Sequence, residues 1–219
     1  MNKIPKRFIR IWLGEKQMPS MFEKWWDEFK VIHPDYEFVT ITNNTDIELP
    51  SEIKRIYNDG LTYAGQSDIL RIVALYLLGG IYVDTDMMPL KSFDDLIEND
   101  SRAFIGLRSK KSFESAVIGG CKGDKVFKDV LDALPEWYEK HKDKSCSVRT
   151  GPAFVSSVMF GRDDVRHYPI KYFYPYNGFG APKRDVRIKM FEDKNNFPKE
   201  MYAAHFGNHR WGGKAKPIE

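Results

Sequence analysis

The stretch from Ala64 to Pro89, AGQSDILRIVALYLLGGIYVDTDMMP, decides the fold. Residues Ile69–Leu78 are apolar on most faces, which predicts a largely buried helix. Ser67 is a plausible N-terminal cap for this helix. Gly79 and Gly80 end it, because glycine adopts the left-handed conformation that closes many helices.

A short apolar strand, Ile81–Val83, follows the glycines and leads directly into Asp84 and Asp86. Side chains alternate along an extended backbone, so these two carboxylates project to the same side. Ligands of open α/β sheets bind outside the carboxyl ends of the strands. Paired carboxylates there predict a site for Mn²⁺ or Mg²⁺. Such a cation neutralises a diphosphate leaving group.

Two charged residues interrupt the apolar helix. Asp68 and Arg71 are three positions apart and therefore share one helix face. On an exposed helix this pair would be an ordinary ion pair of small energetic value. In an apolar helix, buried charges need a specific partner. We therefore favour a functional role, with Arg71 binding a phosphate and Asp68 a sugar hydroxyl.

The chain around this stretch predicts a single α/β domain over residues 1–219, with a mostly parallel central sheet flanked by helices. A strand, a helix capped by Ser20 and a second strand come first, which predicts a parallel pair. The later segments predict a helix interrupted near Pro135 and a helix starting at Thr150-Gly151-Pro152. The expected strands are Ile4–Leu13, Tyr36–Ile41, Ala103–Leu107 and Ser115–Cys121; the expected helices are 18–31, 49–58, 124–141 and one from 150; 170–176 is expected to be extended and 177–196 irregular.

Charge and composition exclude some classes of partner. The 34 basic and 31 acidic residues are interspersed and give a net charge of +3, which does not argue for nucleic acid. The sequence shows no signal-peptide pattern and no apolar run of about 18 residues, so a cytoplasmic enzyme without a membrane span is expected. Cys121 and Cys146 lack metal-site spacing, and a disulfide between them is possible but unsupported.

Other candidate site residues lie near the two ends of the chain. Trp12 ends the first predicted strand and is either a core residue or a stacking surface for a base. His205 lies in a tail with Asn208 and His209, and an imidazole is a reasonable additional ligand for Mn²⁺. The other histidines, His33, His141 and His167, are expected to be structural or exposed. No nucleophile-elbow motif and no phosphate-binding P-loop is present.

Four segments together resemble one enzyme family: IPKRFIRIWLG (4–14), the central stretch, RTGP (149–152) and AAHFGNHRW (203–211). They resemble glycosyltransferase family thirty-two, which includes capsular-polysaccharide synthesis enzymes and initiating mannosyltransferases. The central stretch is also similar to the catalytic domains of the large glucosylating toxins. The resemblance spans nearly the whole chain.

The resemblance implies a GT-A fold and transfer, with retention of configuration, from a nucleotide sugar to a glycan or glycolipid acceptor, with possible peripheral membrane contact. UDP-glucose, UDP-galactose and GDP-mannose are the expected donors. Residues 1–100 would bind the nucleotide sugar. Residues 101–219 would form the acceptor side and a C-terminal tail that completes the metal site and, through Trp211, closes over the phosphates. The implied donor-binding residues are Trp12, Asn43, Ala64, Asp68, Arg71, Tyr82, Asp84 and Trp211; the implied metal ligands are Asp84, Asp86 and one of His205, Asn208 and His209.

The sequence departs from the family pattern after His205, where Phe206 and Gly207 replace His-Trp, so the third metal ligand stays open. Glu114 also stands near a position where many relatives have asparagine. Two other classes compete with this interpretation. A haloacid-dehalogenase-type phosphohydrolase shares an Asp-x-Asp after a strand, but its later motifs are absent. A catalytically silent sugar-binding module would be expected to lose a motif carboxylate, whereas Asp68, Asp84 and Asp86 are all present.

Overall fold

The computed structural model describes residues 3–98, 103–109, 112–176 and 182–207. The strands are β1 Arg7–Ile11, β2 Glu37–Ile41, β3 Gly80–Val83, β4 Met87–Pro89, β5 Ala103–Ser109, β6 Ser112–Gly120, β7 Val165–Tyr168 and β8 Ala203–His205. The helices are α1 Ser20–Ile32, α2 Ser51–Tyr57, α3 Tyr63–Leu78, α4 Asp94–Ile97, α5 Lys125–Lys140, α6 Cys146–Arg149, α7 Pro152–Met159 and α8 Arg184–Met190.

Six strands form the central sheet in the order β2-β1-β3-β6-β5-β7. The pairs β1–β2, β1–β3 and β5–β7 are parallel, while β6 runs antiparallel to both of its neighbours. The mostly parallel α/β sheet predicted from the sequence is confirmed. The parallel pairing of β1 and β2 is also confirmed. Helix α1 carries the chain back to the end of the sheet where β1 starts, so β2 runs in the same direction as β1.

A second, two-stranded sheet joins β4 to β8, with Met87 opposite His205. The sequence did not predict these strands, because three residues are too few to show an alternating pattern. Their pairing carries the C-terminal segment to the residues that follow β3. The small sheet therefore places His205 next to the Asp-x-Asp sequence.

Helix α3 is buried as predicted, but it begins one turn earlier. Its N-cap is Thr62, whose hydroxyl accepts a hydrogen bond from the Gly65 N–H, and not Ser67. Nine residues of α3 are buried, including the charged Asp68 and Arg71. Gly79 ends the helix with a φ of 65°, and a Cβ at this position would collide with the backbone of Lys122. Glycine is therefore required at this turn.

Several local predictions were wrong. Ser20 is the first residue of α1 and the N-cap is Pro19, with no side-chain capping bond. Helix α5 runs without interruption through Pro135, because its buried apolar face packs on α2, α3 and α7 and offsets the lost hydrogen bond. The segment predicted to be extended contains a 3₁₀ turn at Ile170–Tyr172, and α8 lies in the segment predicted to be irregular.

The remaining histidine and cysteine predictions concern packing. His33 is buried and structural: its Nδ1 lies 2.9 Å from the Phe29 carbonyl oxygen, and its Nε2 accepts from the Phe93 N–H. Cys121 and Cys146 are both buried, and the possible disulfide between them is not formed. Within the described ranges, every helix is too short or too polar to cross a bilayer.

Candidate active site

A cavity of about 450 Å³ opens beyond the carboxyl ends of β1 and β3. This is where an open α/β sheet is expected to bind its ligand. The cavity brings together seven of the residues that the sequence singled out. They are Trp12, Ala64, Arg71, Tyr82, Asp84, Asp86 and His205.

Three potential metal ligands meet in the cavity wall. One ligand atom from each of Asp84, Asp86 and His205 lies within 4.8 Å of the others. His205 Nε2 is 3.2 Å from Asp86 Oδ1 and 3.7 Å from Asp84 Oδ2. The Phe206 N–H donates to the Asp86 carbonyl at 2.9 Å and fixes the two segments in register. Two carboxylates and one imidazole form a donor set that suits Mn²⁺.

The charges of this cluster also fit a cation. Burial alone would lower the pKa of His205, but the carboxylates of Asp86 and Asp84 outweigh it and raise the pKa to about 9. The imidazole therefore tends to hold a proton that balances its acidic neighbours. A divalent cation would take over this balancing charge, and the proton would leave on binding.

Asp84 is held in one orientation by two donors. Its Oδ1 accepts from the Tyr82 hydroxyl at 2.6 Å and from Arg71 Nη1 at 3.2 Å. Its other oxygen, Oδ2, faces His205. Because both donors lie on the side away from His205, one oxygen of Asp84 stays directed towards the metal cluster. Such supporting hydrogen bonds typically tune metal affinity.

Arg71 lies at the centre of a buried network. It forms an ion pair with Asp68 at 2.9 Å, and its guanidinium lies 4.5 Å from the centre of the Tyr82 ring. Nη1 also donates to the backbone carbonyl and hydroxyl of Ser115. The β5–β6 register jumps between Ile105 and Gly106, and this bulge leaves Ser115 without a β5 partner. Arg71 also lines the cavity, so this network borders the space open to a ligand.

Asp68 lies beneath Arg71 and is 1% exposed. Its Oδ2 accepts a hydrogen bond from the Thr150 hydroxyl at 3.2 Å. Burial raises the pKa of Asp68 to about 7, and the positive charge of Arg71 opposes that rise. The described lining of the cavity includes Ser67 and Arg71 but not Asp68. The carboxylate is thus placed to hold Arg71.

Aromatic side chains form the opposite part of the cavity. The Trp12 indole N–H donates to the Lys16 carbonyl at 2.7 Å, which orients its ring. Tyr63 also lines the cavity and packs on Gly14, where a Cβ would lie 2.7 Å from the Tyr63 ring. Asn43 does not line the described cavity; its side-chain oxygen accepts from the Gly14 N–H at 2.9 Å.

Several cavity residues received no site role from the sequence, among them Tyr63, Glu114 and Gly207, and three of the predicted residues cannot be placed. Tyr63 was missed because α3 was expected to start later, and Gly207 because a glycine offers no chemistry of its own. Glu114 was noticed only as a departure from the family pattern, and its carboxylate lies 3.7 Å from Arg108. Asn208, His209 and Trp211 lie outside the described residues.

Comparison with protein families gives a match over residues 19–103 to a model described as a glycosyltransferase sugar-binding region containing the DXD motif. Inositol phosphoceramide mannosyltransferase 3 of Schizosaccharomyces pombe is 27% identical over 164 residues, which cover 71% of this chain and 44% of that protein. An uncharacterized Arabidopsis thaliana protein is 26% identical over 159 residues, covering 65% and 24%. The chain spans less than half the length of these curated relatives.

Solved structures with a similar fold are also glycosyltransferases. The PaToxG glycosyltransferase has a TM-score of 0.64 and 20% identity, and the match covers 73% of this chain and 70% of that one. The UDP-bound glycosyltransferase domain of the YGT toxin has a TM-score of 0.61 and 12% identity, covering 76% and 80%. Galactosyltransferase LgtC, bound to donor and acceptor sugar analogues, has a TM-score of 0.58 and 12% identity, covering 93% and 90%.

These matches bear on the region that contains Asp84 and Asp86 and on the fold around it. The family model ends at residue 103, so its match includes the Asp-x-Asp motif but not His205. The similarity in fold reaches further along the chain. Residues 19–103 are therefore similar in sequence to the DXD-containing sugar-binding region of glycosyltransferases, and the chain has a GT-A-like fold.

Proposed function

We propose that this protein is a metal-dependent, retaining glycosyltransferase that moves a hexose from a nucleotide sugar to a glycan or glycolipid acceptor. The observation that carries the proposal is the meeting of Asp84, Asp86 and His205 in the wall of a cavity that Arg71 also lines. This arrangement offers a divalent cation and a guanidinium to the same anionic ligand. A sugar diphosphate is a ligand of that kind.

Each side of the cavity has a proposed task. Asp84, Asp86 and His205 would hold Mn²⁺ or Mg²⁺, which would supply positive charge to neutralise a diphosphate leaving group. Arg71 binds the diphosphate from the other side. Asn208, His209 and Trp211 keep their predicted roles as an alternative third ligand and a cover for the phosphates.

The nucleoside is proposed to lie against the aromatic part of the cavity. Trp12 lines the cavity and its ring is oriented by the bond to Lys16, which suits base stacking. Ala64 and Tyr82 line the path from this ring to the metal cluster, and Asn43 acts indirectly by holding Gly14. The donor sugar would then lie near Arg71, with Asp68 behind it.

Retention of configuration is proposed without a covalent nucleophile. In a front-face reaction the departing phosphate takes the proton of the acceptor hydroxyl, and Arg71 stabilises the negative charge that develops on the leaving group. UDP-glucose, UDP-galactose and GDP-mannose are the proposed donors. The same proposal assigns the protein to family thirty-two. It includes one catalytic domain with a donor half (1–100) and an acceptor half (101–219). It also includes a cytoplasmic or peripheral membrane location.

A protein acceptor is the second candidate function. The reason is that two of the similar folds, PaToxG and the YGT domain, come from toxins. The phosphohydrolase alternative has no such support, since the matched family and the similar folds are glycosyltransferases. An acceptor screen with lipid, oligosaccharide and protein fractions would separate the two acceptor classes.

A thermal-shift panel tests the proposal. UDP-glucose, UDP-galactose, GDP-mannose and the corresponding nucleoside diphosphates are each added with and without Mn²⁺. A ligand at about 100 times its Kd stabilises the folded state by ~2.7 kcal/mol. For a chain of this size that raises Tm by roughly 5–10 °C. A rise that requires Mn²⁺ supports the proposal, whereas no rise with any nucleotide sugar would count against it.

A further inference from the structure

The segment Arg149-Thr150-Gly151-Pro152 has a defined place beside the donor site. It joins α6 to α7, with Gly151 as the N-cap of α7 and Pro152 as its first residue. The Thr150 side chain reaches Asp68 on α3, a residue 82 positions earlier in the chain. The segment therefore contacts the buried network around Arg71 through Asp68.

Thr150 makes a specific contact with the Asp68 carboxylate. Its residue is 2% exposed, and its hydroxyl lies 3.2 Å from Asp68 Oδ2 and 3.2 Å from the Cys146 carbonyl oxygen. A hydroxyl has one hydrogen, and a charged carboxylate is the stronger acceptor. Asp68 Oδ1 is buried with no hydrogen bond within the described part of the chain, although Arg71 lies 2.9 Å away as an ion-pair partner.

Gly151 makes this contact possible. A Cβ at this position would lie 3.1 Å from Asp68 Oδ2 and 3.0 Å from the Ser147 Cα. Such distances are tighter than ordinary van der Waals contacts, so a side chain would push the turn away from the carboxylate. Gly151 thus leaves space beside Asp68 Oδ2, and the Thr150 hydroxyl donates to that same oxygen atom.

The contact continues into the site. Asp68 pairs with Arg71, and Arg71 donates to Asp84 at 3.2 Å and lines the cavity. We propose that Thr150 and Gly151 are positioning residues that fix the Asp68 carboxylate and, through it, the Arg71 guanidinium in the donor site. This inference rests on the proposed function, because it assigns the fixed guanidinium to a nucleotide-sugar ligand.

Binding of UDP-glucose, UDP-galactose and GDP-mannose in the presence of Mn²⁺, measured by calorimetry, tests the inference. Thr150→Val removes the hydroxyl while keeping the shape, and should weaken binding of the accepted donor ~10-fold. Thr150→Ser keeps the hydroxyl and should stay within about threefold of the wild type. Thr150→Ala, which adds no atom beside the carboxylate, replaces the valine variant if the latter does not fold.

A double-mutant cycle shows whether Thr150 acts through Asp68. In an Asp68→Asn background no carboxylate remains to be held, so Thr150→Val should cost less than about threefold in affinity. The control is Thr40→Val, the same change at a threonine that does not line the cavity. Its hydroxyl accepts a hydrogen bond of 2.9 Å from Arg10 Nε. It should leave donor affinity unchanged.

The outcomes separate this inference from the proposed function. If the wild type binds no nucleotide sugar, the proposed function fails and this inference falls with it. If the wild type binds a donor and Thr150→Val binds it equally well, or loses the same factor in both backgrounds, the positioning role is refuted. The melting temperature gives a ligand-free check, since the loss in Tm from Thr150→Val should be less than half as large in the Asp68→Asn background.

Discussion

Arg71 Nη1 lies 3.2 Å from Asp84 Oδ1 and thereby joins the buried helix α3 to the first carboxylate of the metal cluster. Both residues line the same cavity. The guanidinium therefore has two tasks, because it orients Asp84 and also presents its charge to a ligand. A compact ammonium group cannot replace a planar fork in both tasks at once.

Arg71→Lys should therefore be a severe change even though it conserves charge. We expect kcat/KM for the accepted donor to fall ~10²–10³-fold, as for loss of a preorganised donor in an active site. Arg55→Lys is the matched control, because Arg55 forms an exposed pair with Glu139 remote from the cavity. Steady-state kinetics on both variants would decide the matter, and near-normal kcat/KM in Arg71→Lys would contradict the assigned role.

Tyr82→Phe tests the other donor to Asp84. The Tyr82 hydroxyl lies 2.6 Å from Asp84 Oδ1, and removing it frees the carboxylate to turn. Loss of such a supporting bond should weaken Mn²⁺ binding ~10-fold. Tyr168→Phe is the control, because Tyr168 is not part of the metal cluster. Its hydroxyl donates a hydrogen bond of 2.7 Å to the Leu96 carbonyl oxygen. Titration with Mn²⁺, followed by electron paramagnetic resonance, should show a loss for the first variant only.

Arg162 should affect stability in a pH-dependent way. It contacts Asp164 at 2.6 Å and Asp129 at 2.8 Å. The hydrogen bond from Arg162 lowers the pKa of Asp164, and those from Lys125 and Arg162 lower the pKa of Asp129. Depressed carboxylate pKa values contribute stability above the unfolded-state pKa, and this contribution disappears as pH falls through the lower folded-state pKa.

Arg162→Gln should accordingly lower the free energy of unfolding by ~0.5–1 kcal/mol at pH 7, a small value because these side chains are partly exposed. The corresponding loss in Tm is roughly 1–4 °C. The difference from the wild type should shrink towards pH 3 and below. Scanning calorimetry at pH 7 and pH 3 gives both values, and a difference that grows in acid would show that the sign is wrong.

The stereochemical course gives an independent test of the proposed mechanism. Transfer should retain the anomeric configuration of the donor sugar, because the front-face reaction delivers the acceptor to the side that the phosphate leaves. Proton NMR of the new glycosidic linkage reports the configuration directly. An inverted product would refute the retaining assignment while leaving the fold and the metal cluster untouched.

The sequence predicted the part of the site that is local in the chain. Asp84 and Asp86 follow a buried strand, and Asp68 and Arg71 share a face of the preceding helix, so spacing alone places each pair. The same holds for the parallel pair β1–β2 around α1. These features depend on contacts between near neighbours, which the order of residues reveals.

The remaining features depend on contacts that spacing does not reveal. The position of His205 relative to Asp86 is set by a pairing of two three-residue strands. Thr150 reaches Asp68 from a different helix pair, and Tyr63 enters the cavity as the first residue of α3, whose N-cap is Thr62 rather than Ser67. In each case tertiary packing overrides or supplements the local pattern.

The double variant Asp84→Asn with Asp86→Asn tests the central claim most directly. Its release of nucleoside diphosphate from UDP-glucose, UDP-galactose and GDP-mannose is measured beside the wild type, with and without Mn²⁺. We predict that the wild type turns over at least one donor in a reaction that requires the metal. The double variant should retain less than ~10⁻³ of that rate. Wild-type activity in the double variant would contradict the assignment of these two carboxylates to a metal-dependent glycosyltransferase site.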